Sequence, residues 1–252
     1  IEGPPTRWGA AAIAAGGGGA ACLIAFVVVE RRAAHPMVPL AIFRSRQFSG
    51  ANGATLFVYA AIGATTFFLV VYLQTGLGYS PLQAGASLLP ITFLMLLFSA
   101  RSGAVAQRIG PRIPMTVGPV VVAAGVALLT RVQPGVSYVA GVLPGALVLG
   151  LGLVITVAPL TAAVLAAVDD HHAGIGSAIN NAVARIGSLL AVAVLPAAAG
   201  IATAGGAVDI AAGYQRAMLL AAALATAGGV ISFLTVRRST PVEVPTHGTV
   251  QD

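Results

Sequence analysis

The sequence contains no lysine, a single cysteine and few charges of either sign, and each scarcity excludes a class of protein. A lone Cys22 excludes a disulfide framework and a cysteine metal site. The absence of lysine excludes a retinal protein, because retinal is held on a lysine Schiff base. Only 8% of the 252 residues are charged, against about 25% in a soluble domain, while 58% are hydrophobic. This composition is typical of an integral membrane protein.

Seven apolar stretches are each close to the ~20 residues that a helix needs to cross a bilayer. They predict membrane-spanning helices over residues 8–29, 48–73, 81–100, 113–130, 138–158, 176–199 and 214–236. The sequence therefore predicts an all-α integral membrane fold with the lipid bilayer as its main partner.

The distribution of the 13 arginines between the loops predicts the orientation of the chain. One side of the membrane holds nine of them: Arg31, Arg32, Arg44, Arg46, Arg101, Arg108, Arg112, Arg237 and Arg238. The other side holds Arg7, Arg131 and Arg216. Because cytoplasmic loops are enriched in basic residues, we expect the N-terminus outside and the C-terminus inside. Arginines confined to short loops indicate charge at a membrane surface, so no nucleic-acid partner is expected.

The start of the sequence bears on its completeness. It begins at Ile1 without a signal peptide, and an outside N-terminus needs earlier crossings to deliver it. We therefore expect the sequence to be the C-terminal part of a longer protein.

Two loops on the arginine-rich side have further character. Residues 101–112 carry three arginines, each of which would cost about 2.5–3.5 kcal/mol at the bilayer centre, so this segment must lie outside the hydrocarbon. The loop at 30–47 contains a short amphipathic piece with Leu40, Phe43 and Arg44, which we expect to lie along the inner interface.

The second apolar stretch carries polar residues on one face. Asn52, Thr55, Tyr59, Gly63 and Thr66 follow steps of three and four, so they share one side of a helix. Two interpretations stay open: this face is the wall of a substrate cavity, or its residues form hydrogen bonds between helices.

The sixth stretch has a second polar face, made of Ser177, Asn180, Asn181, Arg185 and Ser188. Arg185 is the one charge expected at membrane depth, where a charged residue is a functional hypothesis by default. The alternative is that its side chain snorkels to the cytoplasmic headgroups.

The segment Asp169-Asp170-His171-His172 resembles a metal cluster at first sight. Adjacent ligands in one short loop rarely converge on one ion, and no second cluster completes the coordination. We therefore expect a solvated cytoplasmic loop that caps the following helix, with no metal site and no cofactor. If the protein were a membrane-embedded enzyme, these four residues would be its candidate catalytic groups.

Proline, glycine and the lack of polar residues predict how some helices bend and where they lie. Pro90 should kink the third helix, and Pro159 should mark where the fifth bends or leaves the membrane. Glycines in the fifth stretch predict close helix packing. The fourth and seventh stretches, which have few polar residues, are expected to be peripheral and lipid-facing.

Residues 103–112 read Gly-Ala-Val-Ala-Gln-Arg-Ile-Gly-Pro-Arg and resemble the inner-loop signature of the major facilitator superfamily, G-x-x-x-D-R-x-G-R-[KR]. The segments at 72–74, 78–90, 150–160, 173–174 and 180–181 add to this, and together they are similar to the fourteen-helix drug:proton antiporter branch. The resemblance covers nearly the whole chain. It implies an inserted helix and linker at 1–47, a C-terminal six-helix bundle of two inverted repeats at 48–236, and a cytoplasmic tail at 237–252.

The resemblance implies proton-coupled multidrug efflux by alternating access in a bacterial cytoplasmic membrane, with amphipathic small molecules and protons as substrates. It implies an N-terminal half as partner, and that half would hold the coupling acid. The implied cavity residues are Asn52, Thr55, Tyr59, Thr66, Asn180, Asn181 and Arg185; the implied gating loop consists of Gly103, Gln107, Arg108, Gly110 and Arg112. Gln107 departs from the acidic position of the signature and cannot neutralise the arginines. An uptake permease of the same superfamily is the nearest alternative, and a seven-helix receptor a more distant one; no catalytic residues are expected.

Overall fold

The computed structural model describes residues 5–33, 36–200 and 210–236, with the side chains of the first helix described from residue 14 onward. In this part of the chain all regular structure is helical. The helices are α1 (Pro5–Arg32), α2 (Arg46–Thr75), α3 (Pro81–Ala86), α4 (Leu89–Ile109), α5 (Arg112–Leu129), α6 (Tyr138–Leu165), α7 (Ala173–Ala198) and α8 (Ile210–Thr235). Seven spans within the described residues are long and apolar enough to cross a membrane, with α3 and α4 forming one of them. The predicted all-α membrane fold is confirmed.

The chain divides into two compact units, residues 1–45 and 46–252. The first contains α1 and the short 3-10 helix Leu40–Arg44, which is the form that the predicted amphipathic piece takes. Between these two elements the carboxylate of Glu30 accepts a hydrogen bond of 2.7 Å from the backbone N–H of Val38. The predicted tail at 237–252, with Arg237 and Arg238, lies outside the described residues.

Helix α2 is the centre of the second unit, because it packs along both α7 and α8. Helix α5 packs against α8 and α6, and α6 packs in turn against α4. Small residues allow the closest approaches. A Cβ added at Gly187 of α7 would lie 2.5 Å from the carbonyl oxygen of Leu56, and one at Gly152 of α6 would lie 2.5 Å from the backbone nitrogen of Val122. These helices therefore meet backbone to backbone, as the glycine content predicted for α6.

Pro90 was predicted to kink the third span and Pro159 to bend or end the fifth. The third span is interrupted at Ser87 and Leu88, so Pro90 lies in the first turn of α4, where its missing N–H is not needed. The fifth span was predicted to end at residue 158, but α6 continues through Pro159 to Leu165. Its 28 residues measure about 42 Å at 1.5 Å per residue, longer than a ~30 Å hydrocarbon core.

The helices that the sequence placed at the periphery are not the least buried. Half of the α5 span is buried within the chain and 39% of the α8 span, against 28% for α7 and 11% for the span of α3 and α4. A helix without polar groups can contact lipid or another helix equally well, so polarity alone does not distinguish the two. The faces left uncovered in the described unit belong mainly to α4 and α7.

Candidate functional site

A cavity of about 520 Å³ lies between α2, α6 and α7. Helices α6 and α7 both contact α2, and α7 packs along it closely, but α6 and α7 meet each other over only a small area. The cavity occupies the space between these three helices. It is lined by Tyr59 of α2, by Thr161, Val164 and Leu165 of α6, and by Ser177, Asn180, Asn181, Ala184, Arg185, Ser188 and Leu189 of α7. Its volume suits a drug-sized molecule.

The cavity reaches the middle of the helices. Arg185 stands 12 residues after Ala173 and 13 before Ala198, so it is about 18 Å from the arginine-rich end of α7. Tyr59 stands near the middle of α2, 13 residues after Arg46. The residues Ser177, Thr161 and Leu165 continue the cavity toward the arginine-rich end. Arg185 thus lies near the middle of α7, farther from either helix end than its own side chain reaches.

Asn52 and Thr55 do not line this cavity. Both are buried, and the side-chain amide of Asn180 donates to Thr55 Oγ1 at 2.7 Å and to Asn52 Oδ1 at 3.3 Å. Asn52 in turn donates to the carbonyl of Phe48, and Thr55 donates to that of Ala51. Of the two interpretations that the sequence left open, interhelical hydrogen bonding applies to these residues.

The rest of the α2 stripe divides between the cavity and the surface. Tyr59 lines the cavity, and its carbonyl oxygen accepts a hydrogen bond of 3.0 Å from Ser188 Oγ. Gly63 packs on α7, where an added Cβ would lie 2.8 Å from Ser188 Cα. Thr66 is exposed, and its hydroxyl donates to the carbonyl of Ile62 on its own helix. The structure therefore brings Tyr59, Asn180, Asn181 and Arg185 together and leaves Thr66 apart.

The individual α6 residues of the cavity wall were not predicted from the sequence. Thr161, Val164 and Leu165 lie beyond residue 158, where the fifth helix was predicted to end. The apolar character of the sequence continues as far as Val168, and this was the available signal. The predicted end at residue 158 followed instead from Pro159, which was expected to bend the helix or mark where it leaves the membrane.

Electrostatically the cavity is positive. Helices α2 to α8 contain no aspartate or glutamate, and no described residue forms an ion pair with Arg185. Asp169 lies in the loop that precedes α7. The following turn is a 3-10 helix, Asp170–His172, and the N-cap residue His172 makes no side-chain hydrogen bond to α7. The predicted capping of α7 by the charges of this loop stays a prediction.

The predicted gating loop contains one residue that is held in place. Arg112 Nη2 donates to the carbonyl of Phe233 at 2.9 Å, and the guanidinium lies 4.7 Å from the centre of the Phe233 ring. Arg46 donates to the neighbouring carbonyl of Leu234 at 3.1 Å. Two arginines thus satisfy carbonyls in the last turn of α8, where the helix dipole favours positive charge.

Most of the predicted loop at 101–112 is helical, because α4 does not end at residue 100 but continues to Ile109. Gln107 and Arg108 are exposed at the end of α4. Gly110 ends α4 with φ of 81°, a conformation that favours glycine. At Gly103 an added Cβ would lie 3.8 Å from Ala158 Cβ, which is ordinary van der Waals contact. Gly103, Gln107 and Gly110 border a second cavity of about 500 Å³ between α4 and α6.

A family model and individual known proteins both match this chain. Residues 4–192 match the Major Facilitator Superfamily. The chain is 31% identical over 222 residues to the quinolone resistance protein NorB of Staphylococcus aureus (strain COL), covering 87% of this chain and 46% of that protein. It is 32% identical over 166 residues to the lincomycin resistance protein of Streptomyces lincolnensis, covering 66% of this chain and 34% of the relative. It is 33% identical over 171 residues to the tetracenomycin C resistance and export protein of Streptomyces glaucescens, covering 66% and 31%. The chain thus spans from just under a third to just under a half of the length of these relatives.

Proposed function

Because the chain belongs to the major facilitator superfamily, we propose that it is the C-terminal part of a multidrug efflux antiporter that works by alternating access. The observation that carries the proposal is the cavity between α2, α6 and α7, which reaches the middle of the helices and has both polar and apolar walls. Carriers of this kind bind cargo near the bilayer midplane and expose it to each side in turn. The proposal adds the direction of transport, the class of cargo and the coupling ion to the family and the multi-pass membrane fold.

The partner in alternating access is an N-terminal half. The outer faces of α4 and α7 support this, because they bury the smallest share of residues among the bundle spans. The uncovered face of α7 also carries the polar residues Asn181 and Arg185, which lipid tails would solvate poorly. A second helical bundle with a hydrated cleft would cover this face at lower free-energy cost.

Proton coupling requires an acid whose pKa responds to orientation and cargo. Since α2 to α8 contain no carboxylate, the coupling acid would belong to the N-terminal half. The cargo would then be exchanged for protons across an interface to which this chain contributes the cavity wall.

The arginine-rich ends of the helices would face the cytoplasm of a bacterial cell. In this orientation Gln107 and Arg108 lie on the cytoplasmic loop and would move during gating, whereas Arg112 would stay fixed to the end of α8. Labelling should find Ser80 and Arg108 in opposite compartments. Labelling of both from the same side would contradict the orientation.

Export is favoured over uptake because the similar proteins carry names of resistance and export. Transport is favoured over catalysis, since the candidate catalytic residues Asp169, Asp170, His171 and His172 lie in one loop outside the cavity. Replacing both histidines by alanine should leave transport intact, whereas an enzyme that used them would lose its activity.

The test uses the full-length protein in inside-out membrane vesicles. A fluorescent amphipathic dye should accumulate when a proton gradient is imposed, and a protonophore should abolish the accumulation. Tyr59→Ala should reduce it, while Tyr79→Ala, which changes a turn outside the cavity, should not. Absence of dye movement by the folded wild type would contradict efflux, and movement only in the opposite direction would indicate uptake.

A further inference from the structure

Arg185 stands at the middle of α7, with its side chain exposed on the cavity. The bundle offers it no balancing charge, because α2 to α8 contain no aspartate or glutamate. A guanidinium at this depth needs an anionic or strongly polar partner. The question is which molecule supplies that partner.

Three of the seven polar residues that line the cavity, Thr161, Asn180 and Ser188, already donate their side-chain hydrogen bonds within the protein. The hydroxyl of Ser188 donates to the carbonyls of Tyr59 and Ala184, and that of Thr161 to Val157. The amide of Asn180 is used on Asn52 and Thr55. Asn181 donates one N–H to Ser177 and keeps the other. Among the described lining residues, the donors that remain are the guanidinium of Arg185, the hydroxyls of Tyr59 and Ser177, and one N–H of Asn181.

The other lining residues of the cavity are apolar, apart from Thr161 of α6. Val164 and Leu165 of α6 face the space, together with Ala184 and Leu189 of α7. A ligand that satisfies both sides has an apolar body and one group that accepts several hydrogen bonds. A cationic ligand would lie beside Arg185 without any carboxylate in helices α2 to α8 to balance the two charges.

We propose that the cavity recognises amphipathic anions, whose carboxylate or phenolate is held by Arg185 with help from Tyr59 and Asn181. A guanidinium binds a carboxylate through two parallel hydrogen bonds, which gives both charge and geometry. The inference rests on the proposed function, because it names the class of cargo for the same cavity. The competing occupant is a carboxylate of the protein's own N-terminal half.

Two dyes with a similar xanthene core separate these possibilities. Fluorescein carries a carboxylate and is anionic at pH 7.5, whereas rhodamine 6G carries an ester and is cationic. Their dissociation constants are measured by equilibrium binding to the purified full-length protein in detergent. The variants are Arg185→Gln, Arg185→Lys and the control Arg131→Gln, which removes an exposed arginine from the loop after α5.

The wild type should bind fluorescein more tightly than rhodamine 6G. Arg185→Gln should weaken fluorescein binding about tenfold or more and leave rhodamine 6G binding unchanged or tighter, which corresponds to about 1.4 kcal/mol or more for fluorescein. Arg185→Lys should retain part of the affinity, since it keeps the charge and loses the bidentate geometry. Arg131→Gln should match the wild type for both dyes.

An unchanged ratio of the two affinities in Arg185→Gln would overturn the inference, and so would a wild type that does not bind fluorescein. A loss of thermal stability in Arg185→Gln at an unchanged ratio would identify a carboxylate of the protein as the partner instead. Failure of the proposed function has a different signature: the wild type would accumulate no dye of either charge in inside-out vesicles.

Discussion

The polar face of α2 is largely enclosed by helix contacts, whereas the polar face of α7 lines the cavity over most of its length. Asn52 and Thr55 of α2 are buried and bonded to Asn180. On α7, Asn181 and Arg185 keep groups that no described residue uses. A polar stripe in a membrane helix can therefore form hydrogen bonds between helices or line a cavity. Which of the two occurs depends on whether a neighbouring helix packs against it.

The largest effect should come from breaking the close contact between α2 and α7. Gly187→Ala would place a methyl group 2.5 Å from the carbonyl oxygen of Leu56, so it should destabilise the bundle by about 1–3 kcal/mol. Gly174→Ala on the same helix is the matched control, because its Cβ would meet nothing within 4 Å. Thermal unfolding of the purified protein measures both. Equal stability of the two variants would mean that the helices are not packed as described.

The two neighbouring asparagines should behave differently. Asn180→Ala removes the bonds to Asn52 and Thr55 and should cost about 1 kcal/mol of stability, within the range measured for hydrogen bonds between membrane helices. Asn181→Ala removes only a bond to its own helix and should leave the unfolding temperature unchanged while raising the KM for dye. Similar losses of stability in both variants would contradict the division between the two faces.

Arg112 and Arg108 also differ in whether another helix holds the side chain, and the expected difference in stability is smaller. Arg112→Gln removes a bond to the end of α8 and a contact with the Phe233 ring, so it should lower stability by about 0.5–1 kcal/mol. Arg108→Gln changes an exposed residue and should leave stability unaltered. The measurement is unfolding of both variants in the same detergent. A larger loss for Arg108→Gln would show that the exposed arginine, rather than Arg112, anchors the loop.

The smallest effect is expected at Thr66. Its hydroxyl bonds to its own helix and it does not border the cavity, so Thr66→Val should change stability by less than about 0.5 kcal/mol and leave dye transport at the wild-type rate. A clear loss of transport would place Thr66 at a contact that forms with the rest of the protein.

Hydrophobic length and residue spacing were enough to predict the fold and the positions of its seven spans, because both depend on local sequence. They also placed Asn52, Thr55 and Asn180 on the correct helix faces. They did not reveal that these three residues bond to one another, since pairing depends on how α2 and α7 pack. Thr161 was not predicted as a cavity residue because Pro159 was expected to bend the fifth helix or mark where it leaves the membrane, whereas α6 continues to Leu165. The attachment of Arg112 to α8 joins residues 121 positions apart and left no local signal.

Cysteine labelling tests the central claim most directly, once the exposed Cys22 has been replaced by serine in the full-length protein. Asn181→Cys should react with a maleimide in the folded protein, and a transported dye should slow the reaction, because position 181 lines the cavity. Thr55→Cys should react only after denaturation, because position 55 is fully buried between helices. Equal reactivity of the two positions in the folded protein, or reactivity at 181 only after denaturation, would contradict the assignment of the cavity to the polar face of α7.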